Sequence, residues 1–428
     1  MKLNKLIWIS LFLTLSTSMF AQQVIDARGA GMAFSNAADT RGLEQVGANP
    51  ATLALRHAFN FEFNLLSGSV GLSNNGLSKG LYNQYFTTGD SLSSSDKSNI
   101  LNSIPNSGLQ GNFSAKLNTF ALYMPKFSLS LTGMGNGYFN LPREIAEIGL
   151  YGNADLGRTY DFSSAAGTGW GGAALSLGLG FPVKFLRGGM FDFAAIGMTA
   201  KYIIGLQYAE VTSAEGYFQN LSADNPTTDF NGMLEMRQAS GGSGFGYDIG
   251  LVMQSNQKLT ISAAVLNAFG SVNWQSGTEI HQYSVEADNF AINSNTFDDD
   301  NDSVLVSEDT SFVTGSFSTR LPAVLDFGVS YRLTKKLMFS SEFEQGLSSS
   351  MGVLKYSRFA IGSEFTGVPL LPLRAGVSFG GQQGFSTAFG VGLNLKYWFV
   401  DLGFVNHGGF SGSNTRGYTL AATTRFRF

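Results

Sequence analysis

Apolar and polar residues alternate with a period of two through most of the chain. Near the C-terminus Tyr418, Leu420, Ala422, Phe426 and Phe428 alternate with Thr419, Ala421, Thr423, Arg425 and Arg427. The same spacing sets Leu325, Phe327, Val329, Tyr331 and Leu333 against Asp326, Gly328, Ser330 and Arg332, and Phe245, Tyr247, Ile249, Leu251 and Met253 against Gly246, Asp248 and Gly250. Successive side chains of a strand point to opposite faces, so each run predicts a strand with one apolar face and one polar face. Fourteen strands are predicted, at 59–71, 113–124, 127–139, 170–182, 191–205, 245–255, 259–270, 322–333, 337–346, 357–366, 372–380, 385–395, 397–406 and 417–428. Long segments alternate with tight turns such as Pro125-Lys126, Ser255 to Lys258 and Thr334 to Lys336. The turn at Leu395 to Tyr397 carries no Gly, Pro, Asn or Asp, and is the weakest joint. The stretch 206–244 has room for a further hairpin, which would raise the count to sixteen.

Composition turns this pattern toward a membrane. Of 428 residues 43% are hydrophobic and 14% charged, against a charged share of roughly 25% in soluble domains. Aromatic residues make 13% and glycines number 53. Aromatics repeat on one face of strand after strand, which a soluble sandwich seldom shows. At the N-terminus Lys2 and Lys5 precede the apolar run Leu6 to Leu15 and the pair Phe20-Ala21. This predicts an export signal cleaved after Ala21, with an uncleaved anchor as the alternative. Past residue 21 no run approaches the ~18 apolar residues of a membrane helix. Lipid cannot satisfy an open sheet edge, so an exported apolar chain without helical spans must cross as a closed barrel.

The predicted fold is therefore all-β: a transmembrane antiparallel β-barrel of about 14 strands in the bacterial outer membrane. Residues 1–21 form the signal peptide, 22–58 an N-terminal plug and 59–428 the barrel. Short turns face the periplasm and long loops the outside. Those loops are predicted to carry short helices. One is capped by Ser95 or Asp96 and runs through Asn99, Ile100, Leu101 and Ile104; another begins at Pro142 with Leu141, Ile145 and Ile148 as an apolar stripe. The partners expected of such a chain are outer-membrane lipid, lipopolysaccharide and the barrel-assembly machinery. Phe426 and Phe428, in the terminal Arg425-Phe426-Arg427-Phe428, are the candidate assembly signal.

Several chemistries are excluded. The absence of Cys removes disulfides, thiolate metal sites and thiol nucleophiles. A net charge of −4 offers no footprint for nucleic acid. His57, His281 and His407 are widely spaced and lack a neighbouring nucleophile signature, so no enzyme and no cofactor is expected. The glycine clusters 169–172 and 241–244 open no helix and read as strand glycines. Asp298, Asp300 and Asp302, with Glu308 and Asp309 nearby, resemble the opening of a calcium loop, but Ser303 stands where the central Gly belongs. They are weak metal candidates beside the simpler reading of a solvated acidic loop.

Between the predicted signal and the first strand lie Ala27-Arg28-Gly29-Ala30-Gly31-Met32-Ala33 and Gly47-Ala48-Asn49-Pro50-Ala51-Thr52. Further on come Leu321-Pro322, Phe327-Gly328, Tyr331, Leu337 and Glu342. Together these resemble the FadL superfamily of outer-membrane transport proteins, and most of all a FadL-like and PorV-like subfamily of unknown function from Bacteroidetes-type bacteria. The resemblance implies a hatch inside the barrel with Arg28, Gly29, Gly31, Asn49, Pro50 and Ala51 as its motif. It also implies passive transport of hydrophobic or small amphipathic molecules, released past a strand kink. A PorV-like surface accessory that binds protein partners outside is the alternative. Leu81, Tyr82, Tyr85, Phe86, Ile145, Ile148 and Tyr151 are the candidate ligand groove, though aromatic residues also gather at membrane interfaces. Asp248, Asp326, Arg332, Glu342, Arg374, Asp401, Arg425 and Arg427 are inward charges, expected to hold strands and plug together rather than to form an ion path.

Overall fold

The computed structural model describes residues 26–152, 157–184, 186, 188–220, 227–291 and 306–428. The predicted signal peptide at 1–21 and Asp298, Asp300 and Asp302 lie outside the described residues. Fourteen strands close the wall: β1 (Glu62–Asn74), β2 (Leu109–Met124), β3 (Phe127–Leu141), β5 (Ala166–Pro182), β6 (Phe193–Asn220), β8 (Gly241–Ser255), β9 (Leu259–Leu266), β14 (Val324–Arg332), β15 (Leu337–Gly346), β16 (Ser357–Phe365), β17 (Leu373–Gly380), β18 (Ser386–Leu395), β19 (Trp398–His407) and β20 (Gly417–Arg427). Each pairs antiparallel with its neighbour in this order, and β1 bonds to both β2 and β20, which seals the ring. Every predicted strand has its counterpart in this wall.

Two turns close hairpins without glycine. Pro125 fixes one turn residue and Lys126 takes a φ of 71°, the left-handed value that the second turn position needs. The doubtful joint at Leu395 to Tyr397 is a real turn, with Lys396 at φ 42°. Tertiary pairing of β18 with β19 from Leu395↔Trp398 upward pins it without a favourable turn residue.

Six further strands stand above the ring: β4 (Thr159–Asp161), β7 (Thr227–Ala239), β10 (Ser271–Ser276), β11 (Glu279–Ala291), β12 (Val306–Val313) and β13 (Phe317–Arg320). β6 has 28 residues, on the order of 90 Å at ~3.3 Å per residue, far beyond an apolar band of ~25 Å. Its outer half pairs with β4 and β7, and β7 continues through β11 to the edge strand β12. So 206–244 does hold an extra pairing, but it rises above the rim and leaves the barrel at fourteen strands.

Of the helices, α1 (Ala27–Ala30) lies in the N-terminal segment inside the ring, and α2 (Lys79–Tyr85), α3 (Ser94–Ser103) and α4 (Arg143–Tyr151) lie in the long loops. Ser93, not Ser95 or Asp96, caps α3, because its hydroxyl accepts from Asp96 N while the Asp96 carboxylate accepts from Ser93 N. Pro142 is the residue before the first helical one. Among the described residues no helix is long and apolar enough to cross a membrane.

Burial follows the alternation. On β14 Val324, Asp326 and Ser330 are buried, while Phe327, Val329 and Tyr331 are exposed on the outside. Arg at Val329, near the middle of that strand, should cost roughly 2 to 4 kcal/mol in reversible unfolding from vesicles. Arg at Ser311 on exposed β12 should stay within about 0.5 kcal/mol. Equal costs at the two positions would mean that β14 does not face lipid.

Candidate functional site

The segment 26–58 runs inside the ring, and its first turn sets the pattern. Asp26 caps α1 by accepting from Gly29 N, and Ala27 N donates to Thr423 on β20 at 3.1 Å. Gly31 lies backbone to backbone with Gly390, where a side chain on either would collide. Ala33 and Phe34 both take left-handed φ values, 52° and 55°, and turn the chain back. Their carbonyls accept from Arg358 at 2.7 and 2.9 Å, which holds this costly turn.

Arg28 is 1% exposed and spends its guanidinium on three carboxylates. It meets Glu364 Oε2 at 2.5 Å, Glu44 Oε2 at 2.9 Å and Asp39 Oδ2 at 2.7 Å, and donates to Asp39 O at 3.0 Å. Around it Arg41 bonds Asp39 and Glu364, Arg332 reaches Asp39, and Arg425 joins Asp26, Glu44, Glu62 and Asp401. Arg374 pairs with Asp401 and Arg427 with Glu44 and Glu62. The network ties the segment to β1, β14, β16, β17, β19 and β20. Burial raises Asp39 and Glu44, but the surrounding guanidiniums outweigh it, holding Asp39 well below the carboxylate range and Glu44 at about 2. Asp26 goes the other way: burial outweighs Arg425 and lifts it to about 6.

The second anchor is Asn49. Its Oδ1 accepts from Ala51 N at 2.9 Å, capping a 3-10 turn at Pro50–Ala54, as an Asn before Pro is suited to do. Its Nδ2 donates to the ladder carbonyls of Leu251 and Ala263 at 3.0 and 3.2 Å. The wall accommodates this turn with missing side chains: a Cβ on Gly250 would overlap the Asn49 amide, and one on Gly197 would strike the Pro50–Ala51 backbone. Between segment and wall a cavity of about 20 Å³ remains beside Asp26, Asn64 and Arg425, room for about one water.

The eight charges picked out by alternation all face inward. Asp248, Asp326, Glu342, Arg374, Asp401 and Arg425 are buried, and Arg332 and Arg427 reach the segment from the turn end. Missed were Glu62, Lys116, Lys201, Glu344, Arg358 and Glu364, which share the same inward positions; Glu344 is simply two residues past Glu342. Asp248 pairs with Lys201 at 2.7 Å.

The outer half of the lumen is different in kind. Trp170, Ile203, Tyr208, Val272, Trp274, Leu321 and Met351 pack into one buried apolar cluster, with Met134 and Phe317 against it. The alternation that places Ala174 and Ser176 inside would have placed Trp170 inside as well. Beside this cluster the wall ladder breaks, between Leu266 and Ser271 on one strand line and between Arg320 and Val324 on its neighbour. Side chains bridge the break: Asn267 N donates to Asp248 Oδ1 at 2.8 Å, Asn267 Nδ2 to Pro322 O at 3.0 Å, and Lys201 Nζ to Asn267 Oδ1 at 2.8 Å. Leu321 fills the inner side over Gly246 and Gly270, while Phe269 is 78% exposed outside.

The predicted groove residues divide. Tyr82 and Phe86 stack at 5.8 Å near Leu81 on α2, while Ile145, Ile148 and Tyr151 sit on α4. Helix α3 links the groups, with Asn99 donating to the Tyr85 hydroxyl at 3.1 Å and Lys97 lying 5.7 Å from the Tyr151 ring centre. Phe426 stacks on Trp398 and Phe428 on Tyr397 at the turn end. A concavity of about 1000 Å³ lies on the outer wall of β18, β19, β20, β1, β2 and β3. Its exposed lining includes Val70, Leu117, Phe389, Leu402 and Leu420, and inside it Gly390 and Gly403 are covered by Gly31, Ala27 and Ala30. Of the histidines, His57 packs against Phe59 and Tyr123, and His407 lies between Ser386 Oγ and Thr419 Oγ1 at 2.8 and 2.9 Å. His281 Nε2 lies 3.3 Å from Glu279 Oε2.

Comparison with known proteins fits this architecture. The profile of the family of unknown function DUF5723 matches residues 50–405. No curated protein matches the chain. Among solved structures, the toluene transporter TbuX of Ralstonia pickettii is 14% identical, with 96% of this chain and 100% of that one covered at a TM-score of 0.53. A FadL homologue of Pseudomonas aeruginosa is 11% identical, with 96% and 100% covered at 0.50. The monoaromatic hydrocarbon channel CymD is 10% identical, with 96% and 99% covered at 0.53. The fold is that of the FadL-type barrel.

A pH dependence follows from the network. The depressed carboxyls of Asp39 and Glu44 stabilise the docked segment above their unfolded values of 3.8 and 4.5, and lose that contribution as pH falls, Glu44 toward about 2 and Asp39 lower still. Asp26, raised to about 6, contributes in the opposite sense: its share is present at low pH and lost as pH rises through that value. Hydrogen-exchange protection of residues 26–55 should therefore hold down to about pH 5, decline progressively below about 4 and be largely lost near 2. In Glu44→Gln it should be weak already at neutral pH. Protection that is flat down to pH 2 in the parent would contradict the ion-pair account.

Proposed function

We propose that this chain, which belongs to the family of unknown function DUF5723, is an outer-membrane barrel that admits hydrophobic or small amphipathic molecules passively. In this reading the segment 22–58 is a plug, and the route is confined to the outer half of the barrel. A molecule enters among α2, α3 and α4, moves onto the aromatic cluster around Trp170, Tyr208 and Trp274, and leaves sideways at the break between Asn267 and Gly270. The observation that carries this is the division of the lumen. Its inner half is filled by the segment and paired charges, whereas its outer half presents apolar side chains beside a wall whose ladder is broken. An apolar solute gains by leaving water for such a surface, and a path straight through the charged half would cost it that gain.

The similar structures include a toluene transporter and a monoaromatic hydrocarbon channel, so toluene is a sensible first probe here. A second reading, binding of protein partners outside, draws support from β12, an edge strand exposed along its whole length, because unpaired edges accept added strands. Capture of a surface protein dependent on β12, with no solute uptake, would favour that reading.

Proteoliposomes carrying the chain should take up toluene faster than empty liposomes. Leu321→Asn, which puts an amide into the apolar contact set, should cut the excess rate about tenfold, equivalent to ~1.4 kcal/mol. Uptake no faster than in empty liposomes would remove the transport reading.

A further inference from the structure

We propose that Asp326, Glu342 and Glu344 form a binding site for one hard divalent cation, calcium or magnesium, inside the barrel. Asp326 on β14 stands directly opposite Glu344 on β15, an arrangement that repels when both carry charge. Glu342 projects inward one step further along β15. All three are 3% exposed, and one carboxylate oxygen from each lies within 4.8 Å of the others.

Arg358 is the cation paired to this group. Its Nε donates to Glu344 Oε2 at 2.6 Å and its Nη2 to Glu342 Oε1 at 3.1 Å, while the same guanidinium also holds the carbonyls of Ala33 and Phe34. Lys116 on β2 faces Glu344 at longer range. Asp326 makes no ion pair among the described residues, and its Oδ1 is buried without a hydrogen-bond partner. A buried carboxylate in that position is costly unless something positive or a proton meets it.

A second group lies beside the cluster, within reach of its charge. Tyr356 is 7% exposed, and its hydroxyl is likewise buried and unpartnered. Its ring lies over Gly346 at the outer end of β15, where the field of all three carboxylates reaches it. Asp326 Oδ1 and Tyr356 Oη do not bond to each other, so two orphaned oxygens flank the carboxylate cluster. The donor set is oxygen throughout, which selects calcium or magnesium over softer metals.

Position gives the ion a task. Glu342 Oε2 accepts from Ala37 N at 2.8 Å, so one ligand of the ion also holds the N-terminal segment. A cation here would clamp β14 and β15 to that segment just below the loop carrying Tyr356.

The test uses the full chain in detergent with Asp298, Asp299, Asp300 and Asp302 all changed to Asn, which removes the clustered carboxylates of the acidic loop. After chelation and dialysis, calcium titrated by calorimetry should bind saturably at one ion per chain, with magnesium competing. Asp326→Asn and Glu344→Gln should each weaken binding at least about tenfold by removing a charged ligand, with heat-modifiable mobility retained. Terbium bound in place of calcium should show luminescence excited through tyrosine, reduced in Tyr356→Phe, a variant that leaves the carboxylates intact. No saturable calcium binding by the parent, or equal binding in Asp326→Asn and Glu344→Gln, would overturn the site and leave a shared proton as the neutralising partner. Terbium luminescence absent from the parent, or unchanged in Tyr356→Phe, would overturn it as well.

Discussion

A buried guanidinium organises this molecule. Arg28 sits 1% exposed in the middle of the lumen with Asp39, Glu44 and Glu364 around it. Two of those carboxylates belong to the same N-terminal segment and the third to β16, so one cation folds the segment on itself and fastens it to the wall. A charge removed from water is tolerated only when its partners are complete; losing one partner from such a set commonly costs 3 to 5 kcal/mol. The rest of the lumen follows from satisfying those carboxylates in turn, through Arg41, Arg332, Arg425 and Arg427.

Seating that segment needs a wall with few side chains. Gly31 against Gly390, Ala27 against Gly403 and Asn49 against Gly250 are approaches that a Cβ would block. The abundance of glycine, which at the level of composition only suggested strands, thus has a local cause on the inner face. Where the segment ends, large inward residues replace glycine, and Trp170, Tyr208 and Trp274 fill the space. The switch from paired charge to aromatic packing divides the lumen into a closed half and an apolar half, and the broken ladder at Asn267 and Leu321 lies beside the second.

Period-two alternation made the wall legible because lipid outside and a polar lumen inside impose opposite demands on successive residues. It located Phe327, Val329 and Tyr331 on the outside and Asp326 and Arg425 on the inside without any partner being known. What it could not supply was depth and pairing. Nothing in the spacing of Glu342 and Glu344 says that Asp326 faces them, since that depends on the register between β14 and β15. Helix α3 was legible in kind but not in its cap, because Ser93, Ser95 and Asp96 are all capable caps and only the reciprocal bonds of Ser93 with Asp96 decide among them. The outer pairing of β6 with β7 was visible as length to spare, while its place above the rim was not. The aromatic residues of the loops form two groups joined by α3, and the apolar surface inside the barrel has no local signature because its residues come from distant stretches of chain, in pairs on β6 and β10 and from the loops at Leu321 and Met351.

The proposed role of the N-terminal segment is to close an otherwise open barrel, held there by the ion pairs of Arg28. A ring of fourteen strands encloses more space than its own side chains fill, so in this reading removal of the segment lets water into the charged half of the lumen and leaves only the apolar cluster to restrict it. Conductance across a planar lipid bilayer, recorded for the full chain and for one lacking residues 22–50, tests this most directly. The full chain should be nearly silent and the shortened one a steady ion-conducting pore. Equal conductance of the two forms would contradict it.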